Sequence, residues 1–92
     1  MTNDTATSTV TALDDNLDGL RDRINAIDEE LIRLWRERSG ISKEVGRIRM
    51  ASGGTRLALA RERQICERFA DALGEDGTQL ALLLLRAGRG PL

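Results

Sequence analysis

The chain of 92 residues contains no histidine and a single cysteine, Cys66. One cysteine permits no internal disulfide, and a chain without histidine lacks both the commonest zinc ligand and the commonest catalytic base. We therefore expect no metal site, no cofactor and no chemistry that depends on a histidine.

Long apolar runs are also missing. No stretch approaches the roughly 18 consecutive apolar residues of a membrane helix, and the first six residues lack the basic start and apolar core of a signal peptide. The formal net charge of −1 differs from the strongly basic balance of a nucleic-acid binder. We expect a cytoplasmic protein that binds neither membranes nor nucleic acid.

Lysine is scarce, whereas arginine is abundant. Of the 14 basic residues only Lys43 is a lysine. The planar guanidinium group of arginine suits the two oxygens of a carboxylate or phosphate. The bias favours an anion-binding protein, although GC-rich coding produces the same composition.

Helical periodicity begins near residue 13. Residues 1–12 are polar and aperiodic, which predicts a disordered tail before a helical domain over residues 13–92. Beyond the tail, apolar residues follow alternating steps of four and three, the spacing of a helical seam: Leu13, Leu17, Leu20, Ile24, Ile27, Leu31, Leu34, Ile41, Val45 and Ile48. We predict one helix over about residues 14–50, ended by Gly53 and Gly54.

Two shorter helices are predicted after it, over about residues 56–73 and 78–87, with a turn at 74–77 between them. The run Leu80–Leu85 is apolar on every side, which indicates complete burial. A first helix of roughly 54 Å is too long for its own chain to cover. We therefore expect an all-α fold of three helices per chain in an intertwined homodimer with antiparallel long helices.

Arginines interrupt the apolar stripes. Arg38 stands where the seam requires an apolar residue, and Arg61 does the same on the second helix. Arg49 follows Arg38 by 11 residues, close to three whole turns, so both point along one face about 16 Å apart. A buried charge is unfavourable unless it is paired, so these arginines require an anion nearby.

Structural explanations exist for each residue taken alone. Arg38 fits equally well as a seam residue that sets register or pairs with a glutamate of the partner, and Arg61 fits a solvated face. Gly46, between Arg38 and Arg49, is most often a packing accommodation. Together, however, the arginines converge without a matching cluster of carboxylates. An anionic ligand is the simpler explanation, and in an antiparallel dimer Arg21 would reach the partner's site.

Five segments carry a family resemblance. Four resemble the long first helix of the all-helical chorismate mutases, and the fifth resembles their second-helix signature: Leu20–Ile24, Ile27–Leu31, Glu37–Arg38, Val45–Arg49 and Arg61–Glu62. The resemblance covers about residues 17–70. The segments Ala51–Leu57 and Leu84–Gly90 are similar to a short intracellular actinobacterial subgroup.

The resemblance implies an enzyme that rearranges chorismate to prephenate in phenylalanine and tyrosine biosynthesis. It implies that Arg38 and Arg21 of the other protomer hold one carboxylate of chorismate, while Arg61 holds the other end. Arg49 would face the ether oxygen. Glu62 would accept a hydrogen bond from the ring hydroxyl.

The resemblance implies further contacts in the same pocket, and the sequence also differs there from the pattern of the family. The backbone near Thr55 and Ala58 would line the hydroxyl end. Many family members have an acidic residue in place of Ala58 and a lysine in place of Arg49. The third-helix glutamine or glutamate of many members has no counterpart among Leu82–Leu85.

The subgroup resemblance also implies a partner. Such mutases bind deoxy-arabino-heptulosonate-phosphate synthase, which opens the shikimate pathway and raises their activity. The glycine-rich segments 52–55 and 88–92 are expected to be the least fixed by packing, and therefore the elements on which such a partner acts.

Two other functions fit the same sequence. One is an isochorismate pyruvate-lyase on the same scaffold. The other is a non-catalytic helical interaction module whose seam arginines pair with carboxylates of a partner protein.

Overall fold

A computed structural model of the chain describes residues 2–54 and 58–89, with the backbone alone for residues 2–10. Throughout this part of the chain the regular structure is helical: α1 spans Thr2–Ala51, α2 Leu59–Leu73 and α3 Glu75–Arg89. The predicted all-α fold with one long and two shorter helices is confirmed.

The first helix begins earlier than the sequence pattern predicted, at Thr2 in place of about residue 14. Residues 2–12 contain neither proline nor glycine, so no backbone feature stops the helix from continuing in this direction. The division into a disordered tail, 1–12, and a domain, 13–92, stays a prediction.

Glycines end α1 as predicted. Gly53 adopts a left-handed conformation with φ 84°. This conformation is sterically easy for glycine because glycine has no Cβ. The backbone N–H of Gly54 donates to the carbonyl of Arg49 at 2.8 Å, and that of Gly53 to the carbonyl of Met50 at 3.1 Å. These bonds satisfy carbonyls at the end of the helix.

The joint between α2 and α3 is shorter than the predicted turn over residues 74–77. Gly74 alone makes the turn, with φ 72° and an N–H that donates to the carbonyl of Ala70 at 2.7 Å. Glu75 and Asp76 already belong to the first turn of α3, where negative charge interacts favourably with the helix dipole. The predicted turn was wrong because these residues favour a helix N-terminus as well as a turn.

Close packing joins the helices of the C-terminal part of the chain. Ile65 of α2 and Ala81 and Leu84 of α3 are buried. A Cβ on Gly77 would overlap the backbone carbonyl of Phe69, and a Cβ on Gly88 would overlap the side chain of Ser42. Both glycines therefore allow α3 to approach its neighbours more closely than a larger residue would.

The end of α3 corrects two expectations. The helix continues through Gly88 and Arg89, and Gly88 is buried, so residues 88–89 are fixed by packing and are not part of a loose tail. Leu80, Leu82 and Leu83 are exposed in the single chain. The predicted burial of Leu80–Leu85 on every side is wrong for one chain, because α2 covers only one face of α3.

The apolar seam of α1 is likewise uncovered. All the seam residues from Leu13 to Ile48 are exposed in the single chain. In the described residues, no helix is both long and apolar enough to cross a membrane. A surface of this kind on a polar helix marks an interaction site.

We expect Gly77→Ala to destabilise the fold by about 1–3 kcal/mol, because the new methyl group meets a backbone carbonyl that cannot move aside. Gly40→Ala is the matched control. Its Cβ would meet nothing within 4 Å, so we expect it to be neutral or to stabilise by about 0.5–1 kcal/mol. Denaturant unfolding at equal protein concentration measures both, and equal stability of the two variants would contradict this packing.

Candidate active site

A cleft of about 860 Å³ lies among the three helices of the C-terminal part of the chain. Its walls come from the last turns of α1, the start of α2 and the end of α3, all within residues 38–89. Ile41, Val45, Ile65 and Leu85 supply apolar surface. The volume is that of a small-molecule site.

Helix α1 places two of the predicted site residues in this cleft. Arg38 and Arg49 both line it and are half-buried. Their 11-residue spacing predicted that both point along one face of the helix. Gly46 lines the cleft between them, and a Cβ there would meet nothing within 4 Å. The position of a side chain at Gly46 is therefore open space on this wall.

The start of α2 contributes Ala58, Arg61 and Glu62 to the same cleft. Ala58 is the N-cap residue and offers no side-chain cap, but its carbonyl accepts from the N–H of Glu62 at 2.9 Å. The first turn then directs Glu62 inward, with 21% of its side chain exposed. Arg61 is more exposed.

Positive charge dominates the cleft. Among the described residues, six cationic side chains line it against one carboxylate, that of Glu62: Arg38, Lys43, Arg47, Arg49, Arg61 and Arg89. Among the side chains that the structure describes, those of residues 11–54 and 58–89, no group could hold a metal ion. The residue types present suit a small organic anion.

Two of the six cations have partners. Arg47 forms an exposed ion pair with Glu44, and its hydrogen bond to the Glu44 carboxyl lowers the pKa of that group, so the pair is ionised at neutral pH. Arg89 donates from Nη2 to Oε1 of Glu62 at 2.5 Å.

The other four cations, Arg38, Lys43, Arg49 and Arg61, form no ion pair with any described residue. Like charges brought together in a partly buried space repel one another, so an entering anion gains interactions with several of them at once.

Sequence reasoning missed Arg89. The expectation that residues 88–92 are loosely packed removed Arg89 from consideration. The sequence does contain a pattern that predicts its position, because Leu85, Gly88 and Arg89 are spaced to share one helix face. All three line the cleft. Continuing the third helix past residue 87 would have placed Arg89 on the wall.

The outcome differs for the two remaining predicted site residues. Thr55 lies outside the described residues. Arg21 is exposed on α1 in the first of two units of the chain, residues 1–33, whereas the cleft belongs wholly to the second, residues 34–92. The roles of all the predicted site residues stay predictions.

Residues 20–83 match the family model for chorismate mutase type II. The chain belongs to this family of chorismate mutases. The match covers well over half of the chain and includes α1 from residue 20 onward and the whole of α2.

Named relatives agree with this family. The intracellular chorismate mutases of Mycolicibacterium smegmatis and Mycobacterium tuberculosis are each 50% identical to the chain over 76 residues, which is 83% of this chain and 73% and 71% of the relatives. The predicted membership of the chorismate mutases, and with it an enzymatic function, is confirmed.

A solved structure is similar as well. It is a non-covalent complex of DAHP synthase and chorismate mutase from Corynebacterium glutamicum with a bound transition state analog. The match has a TM-score of 0.82 and 43% identity, and it covers 86% of this chain and 95% of that chain. The predicted three-helix fold therefore has a direct counterpart among the chorismate mutases.

Proposed function

We propose that this chain rearranges chorismate to prephenate inside the cleft, as a step of intracellular aromatic amino acid biosynthesis. Family membership supports the reaction. The observation that supports the place is a group of cations, without ion-pair partners among the described residues, around a space of about 860 Å³. Chorismate carries two carboxylates, so it matches this charge.

The reaction suits a site of this composition. It is a concerted rearrangement without proton transfer or a covalent intermediate, so it needs neither a histidine base nor a reactive cysteine. It does need the substrate held in its compact conformer. Guanidinium groups that bind carboxylates through two hydrogen bonds hold both ends of the substrate at once, which lowers the entropic part of the barrier.

Each arginine then has a part. Arg38, together with Arg21 of the other protomer, holds one carboxylate, and Arg61 holds the other end. Arg49 faces the ether oxygen, which gains negative charge as the C–O bond breaks. A cation already in place at such a position is worth about 10²- to 10³-fold in rate.

The ring hydroxyl of the substrate has its own contacts in the proposed site. Glu62 accepts a hydrogen bond from the ring hydroxyl, and the backbone near Thr55 and Ala58 lines the same end. The side chain of Glu62 is already turned into the cleft with 21% of it exposed, which supports this role.

We further propose that the active form is a homodimer. The seam of α1 is exposed along its length in one chain, and a two-fold partner that presents the same seam would bury it. Antiparallel long helices would bring the early part of one α1, with Arg21, beside the cleft of the other protomer.

We also propose that a synthase partner regulates the enzyme. The similar Corynebacterium glutamicum structure is a complex of a chorismate mutase with DAHP synthase. A partner raises activity only if it binds one arrangement of the site more tightly than another. Because Gly88 and Arg89 belong to α3, the segments left for such regulation are the connector after α1 and residues 90–92.

Arg38→Ala and Arg61→Ala should each lower kcat/KM for chorismate by about 10²-fold or more, because each removes a group that fixes the substrate. Arg63→Ala is the matched control, since Arg63 lies exposed on α2 and does not line the cleft. Helicity should stay near that of the wild type in all three. Assays with isochorismate in parallel test the alternative function, an isochorismate pyruvate-lyase. Near-normal turnover of chorismate by the Arg38 and Arg61 variants would indicate that both arginines have a structural role.

Mixing an inactive Arg21→Ala variant with an inactive Arg61→Ala variant should restore activity. Random exchange makes about half of the dimers mixed, and each mixed dimer has one intact site, so about a quarter of wild-type activity should return. Each variant incubated alone is the control. Mixed dimers demonstrated by tagged subunits but lacking activity would show that Arg21 does not act across the interface.

Adding the cognate synthase should raise the activity of the full-length chain, and deleting residues 90–92 should remove most of this gain. The deletion leaves Arg89 and the packed end of α3 in place, so basal activity and melting temperature serve as controls. The measurement is a titration of both forms with the synthase. Equal stimulation of the two would exclude the last three residues as the coupling element.

A further inference from the structure

The ion pair between Arg89 and Glu62 links two helix ends inside the cleft. Nη2 of Arg89, in the last turn of α3, donates to Oε1 of Glu62, in the first turn of α2, at 2.5 Å. The side chains are 24% and 21% exposed, and 27 residues separate them in the sequence. Among the described ion pairs, this is the one that joins different helices.

Stability is a poor explanation for this pair. A partly buried ion pair stabilises a fold little, because removing both charges from water offsets most of their attraction. Arg89 also leaves its Nε buried without a hydrogen-bond acceptor among the described residues, which is itself unfavourable. An apolar residue at 89 would avoid both costs.

We infer that Arg89 is a positioning residue for Glu62, and this inference rests on the proposed role of Glu62 as the acceptor of the substrate hydroxyl. A glutamate side chain has several rotatable bonds, so it loses conformational entropy when a substrate orders it. With Oε1 held by Arg89, that loss has already occurred before the substrate binds. Oε2 is then left to accept a hydrogen bond from the ring hydroxyl.

The backbone beneath Arg89 is suited to this task. Gly88 is buried and lies so close to Ser42 of α1 that a Cβ would overlap the serine side chain. The last turn of α3 is therefore fixed against α1 when it presents Arg89 to Glu62. A positioning group needs such support, because a looser one would let the carboxylate move.

A direct role is the competing explanation. Arg89 itself lines the cleft, so its guanidinium could bind a substrate carboxylate without the help of Glu62. The two roles differ in one respect. A residue that acts only through Glu62 loses its effect once Glu62 can no longer act, whereas a direct ligand keeps it.

The test is a double-mutant cycle of Arg89→Met and Glu62→Leu, with kcat and KM for chorismate measured for the four proteins. Leucine is close to glutamate in size but has no hydrogen-bond acceptor. Arg86→Met is the matched control, because Arg86 lies in the same last turn of α3 but is exposed and does not line the cleft. Circular dichroism and melting temperature check the fold of each variant. Arg89→Lys, which retains a cation, enters the same cycle in case Arg89→Met does not fold.

We expect Arg89→Met alone to lower kcat/KM by about 10²-fold, the effect of a displaced reacting group, and to cause little further loss when Glu62 is already leucine. An equal loss in both backgrounds would overturn the inference and make Arg89 a direct ligand. If Glu62→Leu lowers activity but Arg89→Met does not, the positioning role fails while the role of Glu62 stands. Wild-type activity in Glu62→Leu would overturn both.

Discussion

The repulsion among positive charges in one partly buried cleft is the constraint on which the rest of this structure depends. In the part of the chain that the structure describes, six cations face a single carboxylate around the cleft, and four of the six have no ion-pair partner there. Helices that pack side by side would ordinarily fill such a space with apolar side chains. Keeping cations there is unfavourable until an anion enters, so the structure is complementary to a ligand with several negative oxygens.

Helix α1 supports this site while it also presents an apolar seam. Its last turns carry Arg38 and Arg49 into the cleft, and its seam residues are exposed along the chain. A small domain buries too little surface to spare so many apolar side chains. Dimer formation through the seam would therefore stabilise the fold. It would also complete the site, if Arg21 of one protomer enters the cleft of the other as proposed.

The cleft depends on close helix packing as much as on its charges. Gly77 and Gly88 let α3 approach Phe69 and Ser42 at distances that a Cβ would prevent. This approach brings the last turn of α3 to the start of α2. As a result, the end of the last helix becomes a wall of the site and meets the carboxylate of Glu62.

The sequence by itself determined what depends on neighbours along the chain. Periodicity predicted the three helices, and the 11-residue spacing placed Arg38 and Arg49 on one face, because residues that share a helix face are separated by fixed steps. Motifs in the first two helices predicted the family. Only the tertiary structure decided that α3 begins at Glu75, that three of its five leucines stay exposed in one chain, and that Arg89 pairs with Glu62. Those features depend on how closely separate helices pack in space. Arg89 and Glu62, for example, are 27 residues apart in the sequence, and the spacing of residues within one helix holds no information about contacts between helices.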